Sequence, residues 1–341
     1  METTKLVYSR EELMCSHDYA KPQVVAGRKL HGGFLADGTY VPPRALFREP
    51  AVEAWANALM ARGGGLLEAD SSLLAGIRFP SVPQQKLLLQ RGLGQTFWNS
   101  LTITGMIEAR GRILADLTFP NFQKITDIDL SDWALGHLPV LLVAHGLDEG
   151  GEPDRGVGGH DEMWFALRDL AFGASDLPMP IVPENIGRED SGRVFPALAE
   201  AYERTISFLL NLLMIEFRAE RGFALSEQLL RDPELFVDRR REASEAAEVV
   251  DRIRTDELIH VTSLRLYLGE LRSLVLKCQD GSTLAGAEVI DTLWQQIVHW
   301  ATVEQPPLFA AQQKELLTAR ILEHPDGEVI LEQFHALAEA A

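Results

Sequence analysis

Residues 206–217 read ISFLLNLLMIEF, and the reading of this stretch decides the fold. Apolar side chains recur at helical spacing through it and on either side, from about Pro196 to Arg231, a run well beyond the usual helix length. Within the quoted run only Asn211 and Glu216 are strongly polar, and Glu216 falls on the stripe of Leu209, Leu212 and Leu213. A carboxylate buried without a partner is costly or takes up a proton. Glu216 therefore calls for a protein cation, a shared proton or a metal ion.

The same helical pattern continues in both directions. A second long helix is expected from about Val237 to Leu276, and the final third, LAGAEVIDTLWQQIVHWA and QQKELLTARILEH onward, is helical too. Upstream, residues 44–65 and a segment from about Pro83 to Leu117 show helical spacing, and HDEMWFALRDLAFG forms a short helix closed by Gly173. In LSDWALGHLPVLLVAHGL, Ser131 is the expected N-cap, and Pro139 is expected to kink or split the helix. Period-2 alternation is nearly absent, so the fold class is all-α. Residues 1–43, with HGGFLADGTYVPP, read as an irregular packing arm or small hairpin. Residues 44–276 form the main bundle, whose halves (about 83–173 and 195–276) are joined by the Pro/Gly-rich SDLPMPIVPENIGREDSGRVFP, and residues 277–341 are helices packed on it.

The halves repeat one another. MIEARGR at 106–112 and MIEFRAER at 214–221 match at an offset of 108, which pairs Glu108 with Glu216 and Arg110 with Arg218. Each half continues to an acidic pair, Asp161-Glu162 and Asp256-Glu257, at spacings of 54 residues from Glu108 to Glu162 and 41 from Glu216 to Glu257. Glu257 and His260 stand at i and i+3, the Glu-x-x-His arrangement that grips a metal in bundle cores. Glu108 and Glu216 would be single carboxylates from other helices, and Glu162 the start of a second pair. Carboxylates with imidazole suit iron or manganese.

A glutamate helix followed by a helix bearing Asp-Glu-x-x-His, with the unit repeated, resembles the ferritin-like di-metal carboxylate superfamily, which includes ribonucleotide reductase small subunits, bacterial multicomponent monooxygenases and arylamine N-oxygenases. The resemblance covers roughly residues 83–276 and implies a ferritin-like bundle with additional terminal helices. It implies Glu108, Glu162, Glu216, Glu257 and His260 as ligands of two iron ions, with Asp161 and Asp256 accepting hydrogen bonds from imidazole ligands. The activity implied is an oxidase or oxygenase using O2 on a small organic molecule, held among residues such as Trp164, Phe165, Phe208 and Phe217. One feature departs from the pattern: Phe165 occupies the place of the second histidine, leaving His160, His137 or His145 as substitutes. A manganese pair, a single metal held by the second half, and a metal-free bundle with a binding or assembly role are the alternatives. In the metal-free case Arg112, Arg218 and Arg254 would neutralise the acids.

Bulk properties narrow the partners. The formal charge of −18, from 50 acidic and 32 basic residues, repels nucleic acid and anionic lipid. Two isolated cysteines, Cys15 and Cys278, form neither a disulfide framework nor a paired-cysteine metal site, which fits a reducing cytoplasm. The first residues lack the pattern of a secretory signal, and no apolar run is long enough for a membrane span. The expectation is a cytoplasmic protein, with a homodimer allowed.

Overall fold

The computed structural model describes residues 4–18, 20–76, 79–189 and 192–339. Met1–Thr3 and Tyr19 of the arm, and Asp190 and Ser191 of the inter-half connection, lie outside the described residues. The architecture is an all-α helical bundle. The arm holds a short helix, α1 (Arg10–Leu13), and two minimal antiparallel hairpins: β1 (Val24–Val25) with β2 (Arg28–Lys29), and β3 (Gly33–Phe34) with β4 (Tyr40–Val41). Then come α2 (Ala45–Ala61), α3 (Val82–Gln90), α4 (Gln95–Gly111), α5 (Ala134–Gly150), α6 (His160–Phe172), α7 (Glu200–Arg231) and α8 (Arg240–Ser273). A hairpin of β5 (Val275–Lys277) and β6 (Thr283–Ala285) leads to α9 (Gly286–His299), a π-helical turn at Trp300–Glu304, α10 (Gln305–Leu322) and α11 (Gly327–Glu339).

Two expectations are corrected. The segment from Pro83 to Leu117 is two helices, because Gly92, at φ 77°, breaks the chain between α3 and α4. Pro139 does not split α5, whose start is Trp133 rather than Ser131. Trp133 offers no side-chain cap; instead the buried Glu270 of α8 accepts the amides of Ala134 and Leu135, at 3.0 and 2.8 Å. A carboxylate from another helix thus fixes the start of α5.

α7 and α8 run along each other at the centre, and α4, α5 and α6 pack with them. Their apolar faces form two separate clusters. One gathers Leu213 and Phe217 of α7 with Ile259 and Leu264 of α8, beside α2, α5 and α9. The other gathers Phe223 of α7 and Ile253 of α8 with Leu101 of α4 and Met163 of α6. Between these clusters lies a polar layer containing Glu216, Glu257 and His260. Close helix approach puts a third acid there: a Cβ on Gly111 of α4 would stand 2.6 Å from Cγ of Glu149 on α5. Only glycine lets the two helices meet at that distance.

Candidate metal centre

Five helices deliver side chains to the polar layer: Glu108 from α4, His145, Asp148 and Glu149 from α5, His160 from the first residue of α6, Glu216 from α7, and Asp256, Glu257 and His260 from α8. All are buried, Glu216 to 5% exposure and His160 to 0%. Their donor atoms form two overlapping quartets, each within 4.8 Å: His145, Glu149, Glu216 and His260, and Glu149, His160, Glu257 and His260. Glu149 and His260 belong to both. Nε2 of His145 is 3.1 Å from Glu149 and 3.1 Å from Glu216. Nδ1 of His160 is 3.1 Å from Glu257 and 3.5 Å from Glu149. Nδ1 of His260 is 2.7 Å from Glu257 and 3.2 Å from Glu149.

The far nitrogens of two imidazoles are fixed by aspartates in a crossed arrangement. Asp148 of the first half accepts from Nε2 of His260 at 3.0 Å, and Asp256 of the second half accepts from Nε2 of His160 at 3.3 Å. Each bond turns Nδ1 into the cluster, that of His260 against Glu257 at 2.7 Å, the role that carboxylates play behind metal-bound histidines. Asp148 is in turn held by the buried guanidiniums of Arg44 and Arg48. Asp256 also receives Nε2 of His31 at 3.1 Å and the Tyr40 hydroxyl at 3.0 Å. Gly32, at φ 66°, permits this, because a Cβ there would lie 2.2 Å from the Tyr40 oxygen. The arm that reads as packing in the sequence therefore supplies the outer wall of the site.

Electrostatics makes the cluster incomplete on its own. It holds six buried carboxylates against two guanidiniums, so the excess acid must be met by protons or by bound cations. Protons take up the strain unevenly. Burial, and then the charge of Glu149, hold the Glu108 carboxyl well above its ordinary range. Burial and the charge of Glu257 push Glu216 up to about 7. Burial opposes the charge of Glu149, yet hydrogen bonds from Glu108, His145 and His160 bring it well below the usual range. Burial works most strongly against protonated His160 and His260, but the charge of Glu257 together with hydrogen bonds to Asp256 and Glu149 for His160, and to Asp148, Glu149 and Glu257 for His260, raises both. Even so, Nε2 of His145, Oε2 of Glu149 and Nδ1 of His160 remain buried without a properly directed hydrogen-bond partner. Three unsatisfied donor atoms converging on one space fit a divalent cation, and hard oxygens with imidazole nitrogens fit iron or manganese.

The residues expected from sequence divide as follows. Glu216, Glu257 and His260 join the quartets and Asp256 holds an imidazole, whereas Glu108, expected as a ligand, stands beside them against Glu149 and in neither quartet. Glu162 does not: its side chain is 40% exposed and pairs with Arg28 at 2.6 Å, because it points outward from the first turn of α6. Asp161 does not orient an imidazole; it caps its own helix, accepting the amides of Gly159 at 3.1 Å and Glu162 at 2.6 Å. His160 supplies the imidazole thought missing, and Phe165 packs instead beside Gly105. His145 reaches in, whereas His137 bonds the carbonyl of Trp133 and the amide of Tyr8. Arg112, Arg218 and Arg254 serve elsewhere: they bond Asp116, the carbonyl of Ile186, and the Glu220 and Glu227 pair. Trp164 and Phe217 lie in the two separate apolar clusters, and Phe208 lines a cavity beside Arg188 and Asn211, so these aromatics form no common pocket.

Glu149 takes the place assigned to Glu162, and the sequence carried the signal. Glu108 to Glu149 and Glu216 to Glu257 are both spans of 41 residues, and Asp148-Glu149 pairs with Asp256-Glu257 at the same offset of 108. The histidine that would follow at i+3 is displaced to 160 by an excursion, residues 151–159. That loop leaves α5 through Gly151, at φ 65°, and returns so closely that a Cβ on Gly159 would stand 2.5 Å from the carbonyl oxygen of Asp148. No family model, curated protein or solved structure matches this chain.

Proposed function

We propose that the protein is a ferritin-like di-metal carboxylate oxidase or oxygenase, holding two iron ions, with manganese as the alternative, and acting with O2 on a small organic substrate. The observation that carries this reading is the pair of donor quartets sharing Glu149 and His260, set in a layer where six buried carboxylates face two guanidiniums. A single ion leaves one quartet unused.

When bound, such a pair supplies the binding and reduction of O2. The chain's own residues do the rest. Glu149 and His260 stand in both donor quartets, and Glu216 with His145, and Glu257 with His160, would complete the two sets that hold the ions. Asp148 and Asp256 hold imidazole orientation through Nε2. Glu108 keeps a proton beside Glu149, at an atom from which it can be given up inside the site. The two apolar clusters flanking the layer exclude water.

A metal-free bundle with a binding or assembly role is the competing reading. Its main support was Phe165, and His160 now stands where that reading had no imidazole. Oxygen uptake by protein loaded anaerobically with ferrous iron tests the proposal. Uptake with a new visible absorption band is expected, and both should vanish in Glu149→Ala. A folded protein that takes up iron but consumes no oxygen beyond free ferrous iron contradicts the oxidase reading. One that takes up no iron supports the metal-free bundle.

A further inference from the structure

Residues 305–313, QPPLFAAQQ, are nine in a row without a charge, in a chain whose formal charge is −18. They form the first half of α10, whose buried side chains, Leu317 and Ile321, lie on one face and enter a small cluster with Leu88, Leu93, Ile330 and Phe334. The face turned away from that cluster is bare. Leu308 is 73% exposed and Leu316 57%, and Gln312 stands exposed between them. Paired leucines held in water on an otherwise acidic surface mark a face that another surface covers.

The order of side chains along the face says what covers it. Glu304, the N-cap residue, Leu308, Gln312, Leu316 and Arg320 follow one another at intervals of four, which makes them a single ridge of the helix. Reversed about Gln312, this ridge is its own complement: Glu304 falls on Arg320, Leu308 on Leu316, and Gln312 on itself. A two-fold contact between identical subunits requires that self-complementarity. Ridges of this kind interdigitate at about −50°, the commonest crossing of two helices. There the leucines and glutamine meet at the centre, while the longer Glu304 and Arg320 reach round the rim. Each rim charge has an exposed partner in its own chain, His299 at 3.4 Å from Glu304 and Glu323 at 3.1 Å from Arg320, so pairing across the two-fold widens an existing network. Rim charges set orientation more than affinity. Glu304 and Arg320 cancel, as do Lys314 and Glu315, so two acidic chains meet here without net repulsion along the helix.

We propose that α10 is a homodimer contact, its ridge packed antiparallel against the same ridge of a second copy of this chain. The contact uses no residue of the metal centre and is independent of it. One helix crossing is smaller than the usual specific interface of about 1,200–2,000 Å², so a reversible dimer at micromolar concentration is expected. Sedimentation velocity of the full-length protein, from about 1 to 300 µM, reads it as a concentration-dependent monomer–dimer equilibrium. Leu308→Lys, at an exposed site, should weaken association at least about tenfold. Glu304→Arg and Arg320→Glu should each weaken it to a similar degree. An equimolar mixture of those two variants should associate as the wild type does, because arginine then meets glutamate at both rims. With Cys15→Ser and Cys278→Ser in place, Gln312→Cys should form a disulfide-linked dimer under diamide, and Lys314→Cys, on the opposite face of the helix, should not. A wild type that stays monomeric over that range, a dimer unaffected by Leu308→Lys, or a charge-swap mixture that associates no better than its components overturns the proposal. A monomer whose ridge instead adsorbs to zwitterionic vesicles, with the adsorption lost in Leu308→Lys, assigns the face to a lipid surface and likewise overturns it.

Discussion

Glu216→Gln should change the stability of metal-free and metal-loaded protein in opposite directions. Without a cation, burial and the charge of Glu257 raise the Glu216 carboxyl to about 7 from its ordinary 4.5. A carboxyl raised in the folded state favours the folded protein only while protonated. Its contribution is therefore most favourable below about pH 4.5, falls as pH rises, and reaches its full cost above about pH 7. The shift of about 2.5 units corresponds to roughly 3 kcal/mol at about 1.4 kcal/mol per unit. Glutamine keeps the shape and an acceptor for His145 but carries no charge, so it removes this cost. For a chain of this length the unfolding entropy is about 0.7 kcal/mol per degree, so the metal-free variant should melt up to about 4 °C higher than wild type at pH 8, with no such gain at pH 4. Loaded with metal, the same variant has lost an anionic ligand and should melt lower than loaded wild type. Scanning calorimetry of both forms at both pH values reads this directly. A metal-free variant less stable than wild type at pH 8, or a loaded variant unchanged, refutes the charge argument.

His160→Ala should halve the metal content while Glu162→Ala leaves it unchanged, because only the first faces the cluster; elemental analysis separates the two. Arg48→Met leaves Asp148 with one guanidinium fewer in a buried setting and should cost about 3 kcal/mol in denaturant unfolding of the metal-free protein. Gly111→Ala places a methyl group 2.6 Å from Cγ of Glu149 and should destabilise by about 1–3 kcal/mol while weakening metal uptake. Metal loading at pH 6.5 should release protons, since Glu216, raised to about 7, must ionise to bind; loading in weakly buffered solution with a pH indicator measures the release, which should shrink by pH 8.

The all-α class and most helices were legible because α7 and α8 bury one continuous stripe and repeat it over many turns. Glu216, Glu257 and His260 were legible for a related reason: charged groups on an apolar stripe stand out. Glu149 was hidden by the competing likeness of HDEMWF to TDELIH, a match of letters that ignored the equal spans of 41 residues. His160 was hidden because the excursion at 151–159 breaks the i, i+3 rule while the helix stack restores the position in space. Sequence periodicity cannot register an insertion that leaves and re-enters a helix at one point. His31, Tyr40, Arg44 and Arg48 were out of reach for another reason. They act through Asp148 and Asp256 across a hundred residues or more, and short hairpins bear no pattern that states what they cover. Pro139 was misjudged because packing and the cap from Glu270 hold α5 together where a local rule predicts a break.

The account rests on cations occupying the layer between the two apolar clusters. Elemental analysis of protein purified without added metal and then titrated with ferrous iron under anaerobic conditions tests this most directly. Two ions per chain are predicted for the wild type, with the second position lost in His160→Ala and both lost in Glu149→Ala. A well-folded wild type that retains fewer than one ion per chain, or a content indifferent to both substitutions, contradicts it.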